Sequence, residues 1–424
     1  MVYMLKSVTS SVTFKRSQIT TISTVINGGL GAFFYILLAR FLGPVDYGIV
    51  TICTTTMALI ADVGDLGTNT GLVRFISASI DSDKHQALRF LKLSLEIKFF
   101  VWILILLIGF MLSPSIAVSI FNKPELIIPL RLSMIGVGGA MLFSYVTSSL
   151  QALEKFFIWS IVNITTNLLR LIIVVALIVY SQLNIYSGLT AYIVLPFFGF
   201  SIGLLFLPAK ELLQIKDEFK VMRQLFKYNL SVAIFSAIAA FSSRLDTFLN
   251  ASFLTSKDIG IYGAANQLTS IMPQIISALG IVLAPRFANF KDNKQMRGYF
   301  FKAQLMVLGL SLFGFILVIP TAFFIIPLIL GSQYVLSVSP FIILFCSMLV
   351  FMISLPVHMS VIYYFSKPDV FIWISLGHLL LIAGLGFLLI PHLGVTGSAL
   401  TVLAGTIFNL IAPAIWLVNK LQRK

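Results

Sequence analysis

The chain has 424 residues, of which 58% are hydrophobic and only 10% are charged. A water-soluble domain carries roughly a quarter of its residues as charges, so this composition excludes one. The net charge of +14 does not point to nucleic acid, because the basic residues are dispersed over short loops between apolar runs.

Mean hydropathy is +1.01. The apolar runs are about twenty residues long, which suits α-helices crossing ~30 Å of hydrocarbon. They lack the alternation of a membrane β-barrel strand. The sequence therefore predicts an all-α polytopic membrane protein. In the first half, helices are expected over 17–40, 47–73, 91–112, 125–149, 156–181 and 187–208. In the second half they are expected over 229–253, 259–285, 301–323, 335–359, 368–390 and 393–418. The first run is long, contains polar residues and leads straight into a second span, so a cleaved signal peptide is not expected. The organisation predicted is a six-helix bundle over 1–208, a cytoplasmic amphipathic linker over 209–228 and a second six-helix bundle over 229–424. In the linker, Leu212, Ile215, Phe219, Met222 and Phe226 recur at helical spacing. Lys216, Lys220, Arg223 and Lys227 mark another face, the pattern of a helix lying in the membrane interface. A plain basic linker that happens to be helical fits the same residues.

Orientation follows from Lys and Arg in the short loops. Twenty-two of the 29 basic residues fall on one side, four on the other, and Lys98, Arg170 and Arg244 within spans. This predicts cytoplasmic N- and C-termini and an even number of helices.

Chemistry-bearing motifs are few. Cys53 and Cys346 lie far apart in apolar runs, and the four histidines lack ligand spacing. There is no Gly-rich phosphate or dinucleotide loop. No metal, cofactor or catalytic centre is expected. Attention moves to polar residues within spans, where an ionisable side chain costs about 2.5–3.5 kcal/mol and is a functional candidate. Asp62 and Asp65 lie in the second span beside Gly64, Gly67 and Gly71. They are candidates for ion coupling, or for a capped helix with a satisfied carboxylate. Gly67 and Gly71 allow another helix to approach closely. Arg74 and Arg286 lie at inner helix ends, suited to capturing a diphosphate or simply to anchoring topology. Lys98 is expected to snorkel to the interface.

Asn163, Asn167 and Arg170 share one face of the fifth span and are read as a polar stripe, facing a cavity or another helix. In the seventh span, Arg244 and Asp246 do not face each other, being two residues apart. Each needs another partner, and Ser243, Thr247 and Asn250 extend the face. Asn27, Asn250, Asn266, Gln267, Ser270 and Ser277 complete the candidate lining, and Pro273, Pro320 and Pro356 are candidate hinges.

One short stretch is written almost twice. "ARFLGPVDYGI" at 39–49 returns as "ASFLTSKDIGI" at 251–261, 212 residues later, and Arg74-Phe75 returns as Arg286-Phe287 at the same offset. An even number of helices per copy predicts parallel repeats related by an axis along the membrane normal, around a central cavity.

"LLARFLGPVDYGIVTI", "DLGTNTGLVRF" and "SRLDTFLNASFLTSKDIGIYGAANQL" resemble the multidrug/oligosaccharidyl-lipid/polysaccharide (MOP) superfamily, and within it the Wzx-like polysaccharide flippases. The sharpest matches are Gly43, Pro44, Tyr47 and Gly48, then Asp65, Leu66 and Gly67, and Asp246 with Gly260 and Tyr262. The resemblance implies movement of a polyprenyl-diphosphate-linked oligosaccharide, such as an O-antigen, capsule or exopolysaccharide unit, from the cytoplasmic to the outer leaflet of a bacterial inner membrane. It implies lipid-linked oligosaccharide and membrane lipids as partners, with glycan polymerase and glycosyltransferases of the same pathway as further ones. A cation-coupled multidrug exporter of the same fold is the alternative; it predicts carboxylates dominating the cavity, whereas Arg170 and Arg244 share it. A membrane glycan polymerase or ligase needs a longer outer loop than any here.

Overall fold

The computed structural model describes residues 12–80, 83–215, 219–290 and 292–422. Among them there is no strand. The helices are α1 (Val12–Gly64), α2 (Thr68–Ser79), α3 (Lys84–Ser115), α4 (Ile127–Ala152), α5 (Phe156–Val179), α6 (Ile185–Leu204), α7 (Ala209–Gln214) and α8 (Phe219–Ser242). They continue as α9 (Leu245–Phe253), α10 (Ser256–Thr269), α11 (Met272–Asn289), α12 (Asn293–Leu330), α13 (Val338–Met359) and α14 (Val370–Gln422).

Among the described residues, nine helical stretches are long and apolar enough to cross a membrane, or ten if the bent pair α8–α9 is one span. Two cannot be single passes. α1 and α14 each run 53 residues, about 80 Å at 1.5 Å per residue, against ~30 Å of hydrocarbon. Each is kinked at a glycine with positive φ, Gly43 at +78° and Gly394 at +58°. Read as two passes each, they make the fold consistent with twelve. The linker face expected of Lys216, Phe219, Lys220, Met222, Phe226 and Lys227 lies outside the described residues and side chains. Leu212, on α7, is buried.

The chain forms two compact units. One comprises the described residues up to Leu42 together with Ile49–Phe241, the other Gly43–Gly48 together with the described residues from Ser242 onward. In the N-terminal unit α4 packs on α3, α5 and α6. Leu72, Ile76, Phe90, Leu91, Tyr145 and Val146 are buried in its core, and Phe75 stacks on Phe90 at 4.7 Å. In the C-terminal unit α13 packs on α10, α11, α12 and α14, and α9 packs on α14.

The backbone repeats as the sequence does. Glu154 (φ +55°) and Ser366 (φ +52°) are non-glycine residues in the left-handed region, and they lie 212 residues apart. Each closes the turn after the fourth pass of its unit. The third pass of each unit starts at an aspartate N-cap: Asp83 accepts from Gln86 N–H (3.0 Å) and Asp292 from Lys294 N–H (3.2 Å).

The duplicated turn has a structural counterpart within the C-terminal unit. A Cβ on Gly48 would overlap the carbonyl of Ser256, and one on Gly260 would overlap the carbonyl of Pro44. Residues 44 and 256, like 48 and 260, are 212 apart. The two copies of the turn thus lie against each other in reciprocal fashion, and only a residue without a side chain fits at either crossing. Tyr47 adds an edge-to-face contact with Tyr334, ring centres 6.4 Å apart.

Candidate functional site

In the N-terminal unit α5 presents the predicted stripe. Its amides form a chain: Asn163 Nδ2 donates to Trp159 O (2.8 Å), and Asn167 Nδ2 to Asn163 O (3.2 Å) and to Asn27 Oδ1 on α1 (3.0 Å). Arg170 Nη1 donates to Asn167 Oδ1 (3.3 Å). The Arg170 guanidinium lies 4.6 Å from the ring centre of Tyr192 on α6 and 5.6 Å from that of Phe34 on α1. Its Nε is buried without a hydrogen-bond partner. Tyr35 joins the cluster, its ring centre 6.0 Å from Tyr192. The aromatic partners were not foreseen, because nothing in the spacing of Phe34, Tyr35 and Tyr192 separates them from ordinary lipid-facing or core rings.

An arginine over aromatic faces keeps its charge and uses its π-face for attraction. Its in-plane donors are left for a planar or tetrahedral oxyanion. With the amides of Asn27, Asn163 and Asn167 and the Tyr192 ring it makes one polar patch of a cation, amides and a phenol.

A second polar centre joins α1, α3 and α4. Lys98, expected to snorkel, is instead wholly buried and forms an ion pair with Asp65. Lys98 also donates to Ser144 Oγ (3.2 Å). A chain that ends at the nearest water would need an open path, and the Asp65 carboxylate offers a stronger attraction at shorter reach. Thr68 Oγ1 donates to Asp65 Oδ1 (3.0 Å) and Asn69 N–H to Oδ2 (3.3 Å). The second pass is interrupted here, with Leu66 at φ +50° and Gly67 at +72°. The neighbour that Gly67 and Gly71 admit is α8: a Cβ on Gly67 would stand 2.9 Å from Asn229 O and 3.0 Å from Val232 Cβ. Asp62 is exposed.

In the C-terminal unit the seventh span, expected to run unbroken over 229–253, is broken. α8 ends at Ser242, α9 begins at Leu245, and the two meet at 45° with Arg244 in the N-cap position. No Gly or Pro marks the break. Its effect is to place Asp246 in the first turn of α9, where free N–H groups and the helix dipole favour a carboxylate. Asp246 is buried and accepts from the Tyr262 hydroxyl on α10. Asn250 Nδ2 donates to Ser398 Oγ on α14 (2.9 Å). Asn266 is exposed on α10, and so are Arg286 in the last turn of α11 and Arg74, which the sequence placed at a helix end but which lies midway along α2 because that helix continues to Ser79. Pro273 sits where α10 gives way to α11 after a break at Ser270–Ile271, while Pro320 and Pro356 lie inside α12 and α13.

A family model described as "Polysaccharide biosynthesis protein" matches residues 37–339, so the chain belongs to that family. No curated protein matches by sequence. Among solved structures, an inward-facing multidrug resistance MATE family transporter of the MOP superfamily is 13% identical, with a TM-score of 0.73 over 93% of this chain and 94% of that one. The lipid II flippase MurJ in an inward closed conformation is 14% identical, TM-score 0.73, over 94% and 87%. A MOP superfamily transporter from Pyrococcus furiosus is 14% identical, TM-score 0.62, over 96% of each chain. The fold is thus the one seen in these MOP-superfamily transporters and in the flippase, and the chain is a multi-pass membrane protein.

Proposed function

We propose that this protein flips a polyprenyl-diphosphate-linked oligosaccharide, of the kind used for O-antigen, capsule or exopolysaccharide, from the cytoplasmic to the outer leaflet by alternating access. It resides on this reading in a bacterial inner membrane with both termini cytoplasmic, the side favoured by Lys and Arg. Membership of the polysaccharide biosynthesis family supports the substrate class.

The observation that carries the reading is the Arg170 cluster. A flippase must shield a diphosphate and a glycan from hydrocarbon while the lipid tail stays in the bilayer. One guanidinium with unspent donors suits a phosphate oxygen, and the amides of Asn27, Asn163 and Asn167 suit sugar hydroxyls. Arg244, Asp246, Asn250 and Asn266 are the corresponding candidates in the other unit, with Arg74 and Arg286 at the cytoplasmic mouth and Asp62 as the candidate for ion coupling, Asp65 being taken up by Lys98. A multidrug exporter of the same fold would present carboxylates in place of this cluster.

The test is glycan export in the native host. Arg170→Ala and Arg244→Ala are expected to abolish surface glycan while the protein reaches the membrane at its normal level. Normal glycan in both variants would remove these residues from the mechanism.

A further inference from the structure

Asp65 and Lys98 form a buried ion pair that the Arg170 cluster does not include. Lys98 is one of the largest fully buried side chains in the protein. A lone buried charge is costly, so its ammonium lies where a positive charge is needed. The groups around it are oxygens. Asp65 offers a carboxylate, and Ser144 spends its own hydrogen on Met141 O (2.8 Å), which leaves its lone pairs for Lys98. Thr68 places a third oxygen beside the same carboxylate. Carboxylate and hydroxyl oxygens are the donors that hard cations take. A small, mostly apolar cavity of about 80 Å³ lies alongside, lined by Leu66, Thr68, Ile97, Leu225, Asn229 and Leu230 among others. Leu66 and Ile97 adjoin Asp65 and Lys98 in the chain.

We infer that Lys98 is a tethered counter-ion: its ammonium holds the place at Asp65 that a sodium ion would take, and so makes this carboxylate indifferent to the cations in solution. Asp65 is then not a coupling site while Lys98 is present, and Lys98 is the residue that determines this. Shortening the lysine leaves a carboxylate, two hydroxyls and the space that its side chain filled, which together form a sodium site. The inference concerns cation binding and does not depend on what the protein carries.

The experiment compares thermal unfolding of the purified full-length protein in sodium chloride and in choline chloride at equal ionic strength. Wild type is expected to unfold at the same temperature in both. Lys98→Ala is expected to unfold at a lower temperature than wild type in choline and to regain much of the loss as sodium is added, in a saturable manner. Asp65→Asn combined with Lys98→Ala is expected to lose the sodium response. Recovery of Lys98→Ala only when sodium is present throughout purification is the same result in stronger form. If Lys98→Ala is not recovered in either salt, the milder Lys98→Asn takes its place, and failure of both in sodium overturns the inference. It is equally overturned by a sodium response in wild type that Asp65→Asn removes, by a folded Lys98→Ala that is blind to sodium, or by a response that persists in the double variant.

Discussion

Two buried polar residues illustrate how the energy of single side chains is arranged. The Asp246 carboxylate accepts from the Tyr262 hydroxyl. Removing one partner of a buried hydrogen bond leaves the other desolvated, which costs about 1–3 kcal/mol. Tyr262→Phe is therefore expected to lower the unfolding temperature of the detergent-purified protein, and adding Asp246→Leu is expected to recover part of the loss, because it removes the stranded carboxylate as well. Equal unfolding temperatures for wild type and Tyr262→Phe would show that the bond contributes nothing. At Arg170 the relevant partner is the Tyr192 ring, 4.6 Å from the guanidinium. A cation–π contact of this kind contributes about 1 kcal/mol, or roughly fivefold in binding. Tyr192→Leu is expected to reduce surface-glycan export partially where Arg170→Ala abolishes it, and Arg170→Lys is expected to restore little, since an ammonium neither stacks nor forks.

At the scale of elements, the crossing of the duplicated turn makes a sharper prediction than any helix interior. A methyl on Gly48 or Gly260 would collide with backbone of the facing segment, and backbone cannot rotate away as a side chain can. Overpacking costs typically 1–3 kcal/mol. Gly48→Ala and Gly260→Ala are expected to destabilise by similar amounts, and the double variant by less than their sum, because one methyl already parts the two segments. Gly29→Ala on α1, where a Cβ meets nothing within 4 Å, is the control and is expected to be neutral or to gain roughly 0.5–1 kcal/mol. Thermal unfolding of the four variants decides the matter.

The offset of 212 residues that led to this crossing is plain in the sequence, and so are the spans, because hydropathy reports length and mean polarity well. Depth and partners are not so reported. Lys98 looks like any lysine near a helix end until α1 brings Asp65 to it. The break before Leu245 carries no Gly or Pro, and the Tyr262 hydroxyl that meets Asp246 just after it comes from another helix. The polar stripe of α5 was legible from its spacing, whereas the rings of Phe34 and Tyr192 come from other helices and have no mark in the chain.

For the whole molecule, the repeat constrains topology. Two copies with an even number of passes must carry equivalent turns on the same side of the membrane. The turns at Glu154 and Ser366, both in the left-handed region, are equivalent by the 212-residue offset. Lys155 and Lys367 follow them directly, and basic residues favour the cytoplasm. The turns at Asn122 and Gly331, one pass earlier in each unit, are then expected outside. In a background with the buried Cys53 and half-buried Cys346 replaced by serine, single substitutions Glu154→Cys, Ser366→Cys, Asn122→Cys and Gly331→Cys can be labelled with a membrane-impermeant thiol reagent added to intact cells. Labelling is expected for the Asn122 and Gly331 variants and, for the other two, only after the membrane is opened. If the Glu154 and Ser366 variants fall on opposite sides, one unit contains an odd number of passes, and the two long kinked helices α1 and α14 do not both cross twice. If both pairs are reversed together, the repeat stands and the orientation drawn from Lys and Arg is wrong, which would put Arg74 and Arg286 on the side from which an exported glycan leaves rather than the side where it is captured.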